Sequence, residues 1–126
     1  MDMSRLIEIE DRICREAPNL SRSEAAVLAQ IVVRLVQAYE PERIYLFGSK
    51  ARDDAGPDSD FDLLLVVPDA APPERRRSRL AYQTLRGTGT AADILVLTRA
   101  DFDGRLHVAA SLPATVVREG RLLHAA

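Results

Sequence analysis

Two aspartates one residue apart, Asp60 and Asp62, stand at the head of the apolar run Phe61-Asp62-Leu63-Leu64-Leu65-Val66-Val67. Ten residues upstream, a shorter apolar run closes on Leu46-Phe47-Gly48-Ser49. A third run, Ala92-Asp93-Ile94-Leu95-Val96-Leu97, again carries an aspartate near its start. Side chains alternate faces along a β-strand, so Asp60 and Asp62 point the same way with Cα atoms roughly 7 Å apart. Carboxylates converging at the start of a buried strand are costly unless a positive group compensates them, and a divalent metal ion is the usual compensator. If the second and third runs are neighbouring strands, Asp93 joins the pair at one sheet edge. Three carboxylates suit hard cations that prefer oxygen, with Mg²⁺ the common choice where phosphates complete the shell. Two such ions, roughly 3.5–4 Å apart, clamp the attacking and leaving oxygens of an in-line phosphoryl displacement. A carboxylate beside the attacking group can also help to deprotonate it.

The Gly-Ser turn supplies a second half to this site. Glycine lets backbone approach a ligand closely, exposed amides at the start of a helix favour phosphate oxygens, and the Ser49 hydroxyl adds a donor. Lys50 is a further candidate phosphate contact, in a direction that local sequence leaves open. Asp-x-Asp and Gly-Ser are each weak signals alone, because such residues are common in turns and caps. Their combination at this spacing, each at the end of an apolar run, is far more specific.

The elements that must position these groups read as follows. Leu6, Ile9, Ile13 and Ala17 recur at helical spacing over residues 4–17, and Pro18-Asn19 ends that helix. Ser21 with Glu24 forms a capping-box pattern that starts a second helix. Val27, Leu28, Ile31, Val32, Leu35, Val36 and Tyr39 give it a wide apolar stripe, and Pro41 stops it. Arg43 to Phe47 reads as a short strand, and Lys50 to Asp53 as one helical turn. Residues 53–59, with Asp53, Asp54 and Asp58, are loop by composition. The run from Phe61 to Val67 fits a central strand covered on both faces, and Pro68 to Pro73 a surface linker. Glu74 to Arg86 reads as a helix whose arginines, Arg75, Arg76, Arg77, Arg79 and Arg86, form a solvated face rather than a phosphate or partner surface. Gly87 to Thr90 is a turn, residues 92–97 a third strand, and Phe102 to Leu112 a helix. Pro113 opens a short terminal helix as a first-turn residue, with Gly120 as its cap, and Arg121 to His124 adds a last strand. His107 and His124 are isolated and carry no assigned role.

The bulk numbers agree with one small α/β (α+β) domain, 126 residues long. Its N-terminal helices occupy about 4–40 and its core about 41–126. The composition, 47% hydrophobic and 29% charged, is that of an ordinary globular chain. A net charge of −2 gives no general pull toward nucleic acid or anionic membrane, so direct nucleic-acid binding is not expected. The single cysteine, Cys14, cannot close an internal disulfide and fits a reducing cytoplasm. Its place among apolar helical positions predicts a buried, inert thiol. No apolar run approaches a bilayer span, and the acidic helical start does not read as a signal peptide.

With these residues in place, Gly48-Ser49 followed after ten residues by Asp60-Phe61-Asp62 resembles the nucleotidyltransferase signature of the DNA polymerase beta superfamily. The longer strings Leu46-Phe47-Gly48-Ser49-Lys50-Ala51-Arg52 and Ser59-Asp60-Phe61-Asp62-Leu63 resemble its small stand-alone members, the minimal nucleotidyltransferases, which are commonly paired with HEPN-domain toxins in toxin–antitoxin modules. The resemblance covers roughly residues 30–120. It implies a small mixed sheet with flanking helices, two Mg²⁺ ions and a nucleoside triphosphate. It further implies Asp60 and Asp62 as metal ligands, Gly48 and Ser49 as the triphosphate holders and Asp93 as the third carboxylate. Asp53 stands where the family often has glycine, which places extra negative charge near the triphosphate path. The implied activity is transfer of AMP from ATP to a hydroxyl, with a tyrosine of a cognate HEPN toxin as acceptor and an antitoxin role. A chain this short must borrow an acceptor surface from a partner or from a second copy of itself. Two other readings follow from the same residues: a non-catalytic antitoxin that masks its partner, and transfer to a small molecule such as an aminoglycoside in a homo-oligomer.

Overall fold

Alternation along β2 (Phe61–Val67) sorts its side chains onto two faces, and both faces are covered. The computed structural model describes residues 3–52, 60–89 and 91–126. The loop expected at 53–59, with Asp53, Asp54 and Asp58, and the turn residue Thr90 lie outside the described residues. Four strands form one mixed sheet in the order β3-β2-β1-β4. Strands β1 (Arg43–Phe47) and β4 (Arg121–Ala125) pair antiparallel, as do β1 and β2, while β3 (Ala92–Thr98) runs parallel to β2. The parallel pair requires a crossover, which the segment after β2 provides.

On one face, Phe61, Leu63, Leu65 and Val67 of β2 pack with Ile44, Leu46, Ile94 and Leu123 against α1 (Met3–Glu16), α2 (Arg22–Tyr39) and α4 (Arg79–Thr84). On the other, Leu64 and Val66 pack with Tyr45, Phe102 of α5 (Arg99–Asp103) and Val116 of α6 (Leu112–Glu119). Helix α2 starts as its sequence demands: the Ser21 hydroxyl accepts from the Glu24 amide and the Glu24 carboxylate accepts from the Ser21 amide. Such a box satisfies two amides that the helix itself leaves unpaired. No helix among the described residues is long and apolar enough to cross a membrane.

Four expectations need correction. Cys14 is exposed, because the buried stripe of α1 is narrow and consists of Ile9 and Ile13. Val27 is also exposed, and α2 instead buries Ala25, Ala29 and Val33. The helix expected from Glu74 to Arg86 is broken into a 3₁₀ turn (Pro73–Arg76) and α4. The cause is the buried Tyr39 hydroxyl, which donates to the Arg77 carbonyl at 2.5 Å and accepts from the Ala81 amide at 2.8 Å. Those two groups would bond each other in a continuous α-helix, so the hydroxyl occupies the rung and the chain breaks there. The helix expected from Phe102 to Leu112 ends at Asp103, and a series of short-range turns leads to Ser111, which caps α6 through the Ala114 amide. Leu106 and Val108 of that segment are exposed, so no apolar stripe is buried there to reward a longer helix.

Candidate active site

Asp62 belongs to the second residue pair of the parallel β2–β3 ladder, directly across from Asp93. Alternation puts Asp62 on the face of Leu64 and Val66, and the parallel register puts Asp93 on that face beside it. Asp60 immediately precedes β2 and is exposed, as is Asp93, whereas Asp62 is half-buried. The expected convergence of carboxylates is therefore a consequence of two strands lying side by side in a particular register. Burial first, then the charges of Asp93 and Asp60, push the Asp62 carboxyl above its ordinary value, and the Arg52 guanidinium opposes them.

Gly48 follows β1, whose last residue, Phe47, is paired with Asp62. Its φ is +75°, a conformation that L side chains rarely adopt, and a Cβ there would collide with the Asp62 carboxylate. The turn and the carboxylate thus share a space that only glycine leaves open. Ser49 opens the single-turn helix α3 (Ser49–Arg52), and the Gly48 carbonyl accepts from the amides of Ala51 and Arg52.

Lys50, an expected phosphate contact, is buried, and the structure gives its ammonium to Glu24 at 2.5 Å. It also lies over the Phe61 ring, 5.3 Å from the centroid, while the Lys50 carbonyl accepts from the Asn19 side-chain amide at 2.8 Å. Glu24 is the capping-box residue of α2, so one side chain ties the start of α2 to the turn that carries Gly48 and Ser49. The Lys50 contact holds the Glu24 carboxyl below its ordinary value. A lowered carboxyl contributes stability above its unfolded value and loses it as pH falls through the folded one. Lys50→Met is therefore expected to destabilise the fold by about 1–2 kcal/mol near neutral pH, less than a fully buried pair because Glu24 is partly in water. The gap between variant and parent should close on acidification, as thermal melts across pH would record. A pH-independent gap accompanied by a raised KM for nucleotide would assign Lys50 to phosphate instead.

Local sequence also left Arg52 and Asn19 unassigned. Arg52 ends α3, three residues after Ser49, and its charge acts on the Asp62 carboxyl. Asn19 carried only a helix-breaking signal, and its bond to the Lys50 carbonyl spans 31 positions.

Among the described residues, no three histidine, cysteine, aspartate or glutamate side chains are closed into a ready-made metal cage. The donor set still suits a hard dication. It is made of carboxylate oxygens only, and the repulsion from Asp93 and Asp60 that adds to burial in raising Asp62 is what a divalent ion would relieve. Asp60, Asp62 and Asp93 are the groups that would hold such an ion.

Comparison with known proteins adds the following. A family model described as a nucleotidyltransferase domain matches residues 27–121, which includes Gly48, Asp60, Asp62 and Asp93. Two solved structures are similar. One is a protein from Sulfolobus solfataricus described as a candidate nucleotidyltransferase, 24% identical over 79% of each chain, with a TM-score of 0.48. The other is a toxin–antitoxin structure with AMP-PNP, 22% identical over 77% of this chain and 73% of that one, with a TM-score of 0.51. At these identities the likeness is one of fold. Comparison with curated proteins gave no match.

Proposed function

Because this chain belongs to the nucleotidyltransferase domain family, we propose that it moves AMP from ATP to a tyrosine hydroxyl of a cognate HEPN-domain protein, acting as that protein's antitoxin. The observation that carries the reading is the register of Asp62 against Asp93 with the Gly48 turn closed on Asp62. Asp60 and Asp62 would hold Mg²⁺, with Asp93 as the third carboxylate. When bound, Mg²⁺ supplies electrostatic stabilisation to the charge that develops on the reacting phosphate.

The chain's own residues do the rest. The Gly48–Ser49 turn offers its backbone and hydroxyl to the triphosphate, as glycine and a helix start suit phosphate oxygens. Lys50 and Glu24 keep that turn in place through α2. Asp93, exposed on the edge strand, would take the proton of the acceptor hydroxyl. The acceptor oxygen bonds to the α-phosphorus as the bond to pyrophosphate breaks. The toxin–antitoxin assignment is supported by the motif resemblance and by the fold shared with a toxin–antitoxin structure that contains AMP-PNP.

The test is incubation of the chain with α-labelled ATP, Mg²⁺ and a HEPN-domain protein as partner. Label should appear on the partner with the parent chain and be lost with the Asp60→Ala/Asp62→Ala variant. Absence of transfer, or equal transfer by the variant, would overturn the proposal. Neutralisation of the partner by the double variant would assign the chain to masking by binding.

A further inference from the structure

The candidate carboxylates occupy one end of the sheet. At the other end, the outer strand β4 pairs His124 with Ile44, near the start of β1, while Arg121 pairs with Leu46, near Gly48. His124 therefore stands at the far end of the strands from Gly48 and Asp62. A groove of about 760 Å³ opens there between α1, the end of α2 and β4. Small-molecule sites commonly occupy roughly 300–1,000 Å³.

Two arginines and a histidine of this lining converge. Helix α1 brings Arg5 and Arg12, about two turns apart, and β4 brings His124. The Nε of Arg12 donates to the Leu122 carbonyl at 3.2 Å, which fixes the guanidinium and leaves its terminal nitrogens for another acceptor. Among the described residues no carboxylate forms an ion pair with either arginine. Glu8 and Asp11 are exposed in the same lining without closing on them, and Glu40 is held by Arg75 at 2.6 Å. His124 is half-buried. Burial first, then the charges of Arg5 and Arg12, hold its imidazole below the ordinary value, against the Pro41 carbonyl. The groove thus gathers positive charge around an imidazole with Ile9 and Leu123 behind it, both buried. An anion relieves such crowding, and guanidinium groups match the oxygens of phosphate and carboxylate. Two guanidiniums beside a neutral imidazole match a doubly negative ligand.

We propose that this groove is a second ligand site, which takes a compact dianion, a phosphate group or a dicarboxylate, between Arg5 and Arg12 and beside His124. The site is separate from the Asp60–Asp62–Asp93 edge and does not depend on its chemistry. A bound dianion bridges α1 to β4. Helix α1 itself buries only Ile9 and Ile13, so the bridge adds to a sparse contact, and occupancy stabilises the folded chain by mass action.

The experiment uses the full chain without divalent cation, at constant ionic strength, titrated in turn with inorganic phosphate, AMP and malonate, with chloride as the singly charged control. The ring resonances of the two histidines are followed by NMR, and affinity by calorimetry. The expected result is a saturable shift at His124, with none at the exposed His107 and no saturation with chloride. Equal binding of phosphate and AMP would identify the phosphate group itself, binding of AMP alone a phosphate ester, and binding of malonate alone a dicarboxylate; each supports the dianion site. Arg5→Gln and Arg12→Gln should each weaken binding by about tenfold or more, as loss of a charge-assisted bond implies. Arg5→Gln removes no bond within the described residues, so it tests the site with the fold intact. The Asp60→Ala/Asp62→Ala variant should bind as the parent does. Absence of a saturable His124 shift with all three dianions, a shift that chloride reproduces, or undiminished affinity in both arginine variants would overturn the proposal. Loss of binding in the double aspartate variant would also overturn it, by assigning the anion to the carboxylate edge.

Discussion

Asp62→Asn is expected to abolish nucleotidyl transfer while raising the melting temperature of the cation-free chain. The two effects have one cause. Burial and the neighbouring charges of Asp93 and Asp60 hold the Asp62 carboxyl above its ordinary value, which means the folded state disfavours its charged form. For a raised carboxyl the sign is opposite to that of Glu24: the unfavourable contribution sets in as pH rises through the ordinary carboxylate range and is complete above the folded value. Asparagine keeps the shape and removes the charge, so the variant should melt a few degrees higher at neutral pH without divalent cation. Added Mg²⁺ should stabilise the parent more than the variant, because ligand binding to the folded state adds stability by mass action. Transfer should fall by about a thousandfold or more, since in the proposed role Asp62 would hold an ion that contributes several kcal/mol of transition-state stabilisation, at about 1.4 kcal/mol per tenfold. Calorimetry with and without Mg²⁺, alongside label transfer, measures both. A variant that melts lower than the parent in the cation-free state would mean that Asp62 serves the fold rather than the chemistry.

Gly48→Ala should be the most damaging single-atom addition in the described chain near the site. Its φ of +75° is unfavourable for an L residue, at roughly 1–2 kcal/mol, and the added methyl would meet the Asp62 carboxylate. Relief requires the turn or the carboxylate to move, and either displaces one half of the site from the other. The expected outcome is a stability loss of about 2–4 kcal/mol, the backbone term plus an overpacking term. Transfer should fall by about a hundredfold or more, the scale reached when catalytic groups are misplaced by about an ångström. Gly87→Ala is the control. Gly87 also has positive φ, at +85°, but nothing lies within 4 Å of a Cβ there. It should lose only the backbone term and leave transfer intact. Combining Gly48→Ala with Asp62→Ala should recover part of the stability loss, because the clash then has no carboxylate to meet. Non-additivity in that double-mutant cycle measures the clash directly. Strict additivity would show that the two residues do not share the space assigned to them.

The candidate site residues could be nominated along the chain because each has a local signature. Asp60 and Asp62 stand at a strand head, Gly48-Ser49 ends another strand, and the Ser21–Glu24 box starts a helix within four residues. Strand period, capping and turn chemistry all act over a few positions, so the positions of all four strands and of α1 and α2 followed from sequence alone. The partners of those residues did not. Asp93 meets Asp62 only because β3 enters the sheet parallel to β2 in one register, a choice made by the crossover and the packing of two faces. Lys50 turned to Glu24, 26 positions away, because burying its ammonium required a carboxylate that local sequence could not nominate. Tyr39 split the arginine-bearing helix from 38 positions away by taking the Arg77 carbonyl. Cys14 became exposed when α1 docked with only Ile9 and Ile13 buried. Sequence determined the candidate groups and the strands that carry them, since those depend on neighbours along the chain. Tertiary structure decided which groups meet, since burial, register and charge pairing are settled only when distant segments pack.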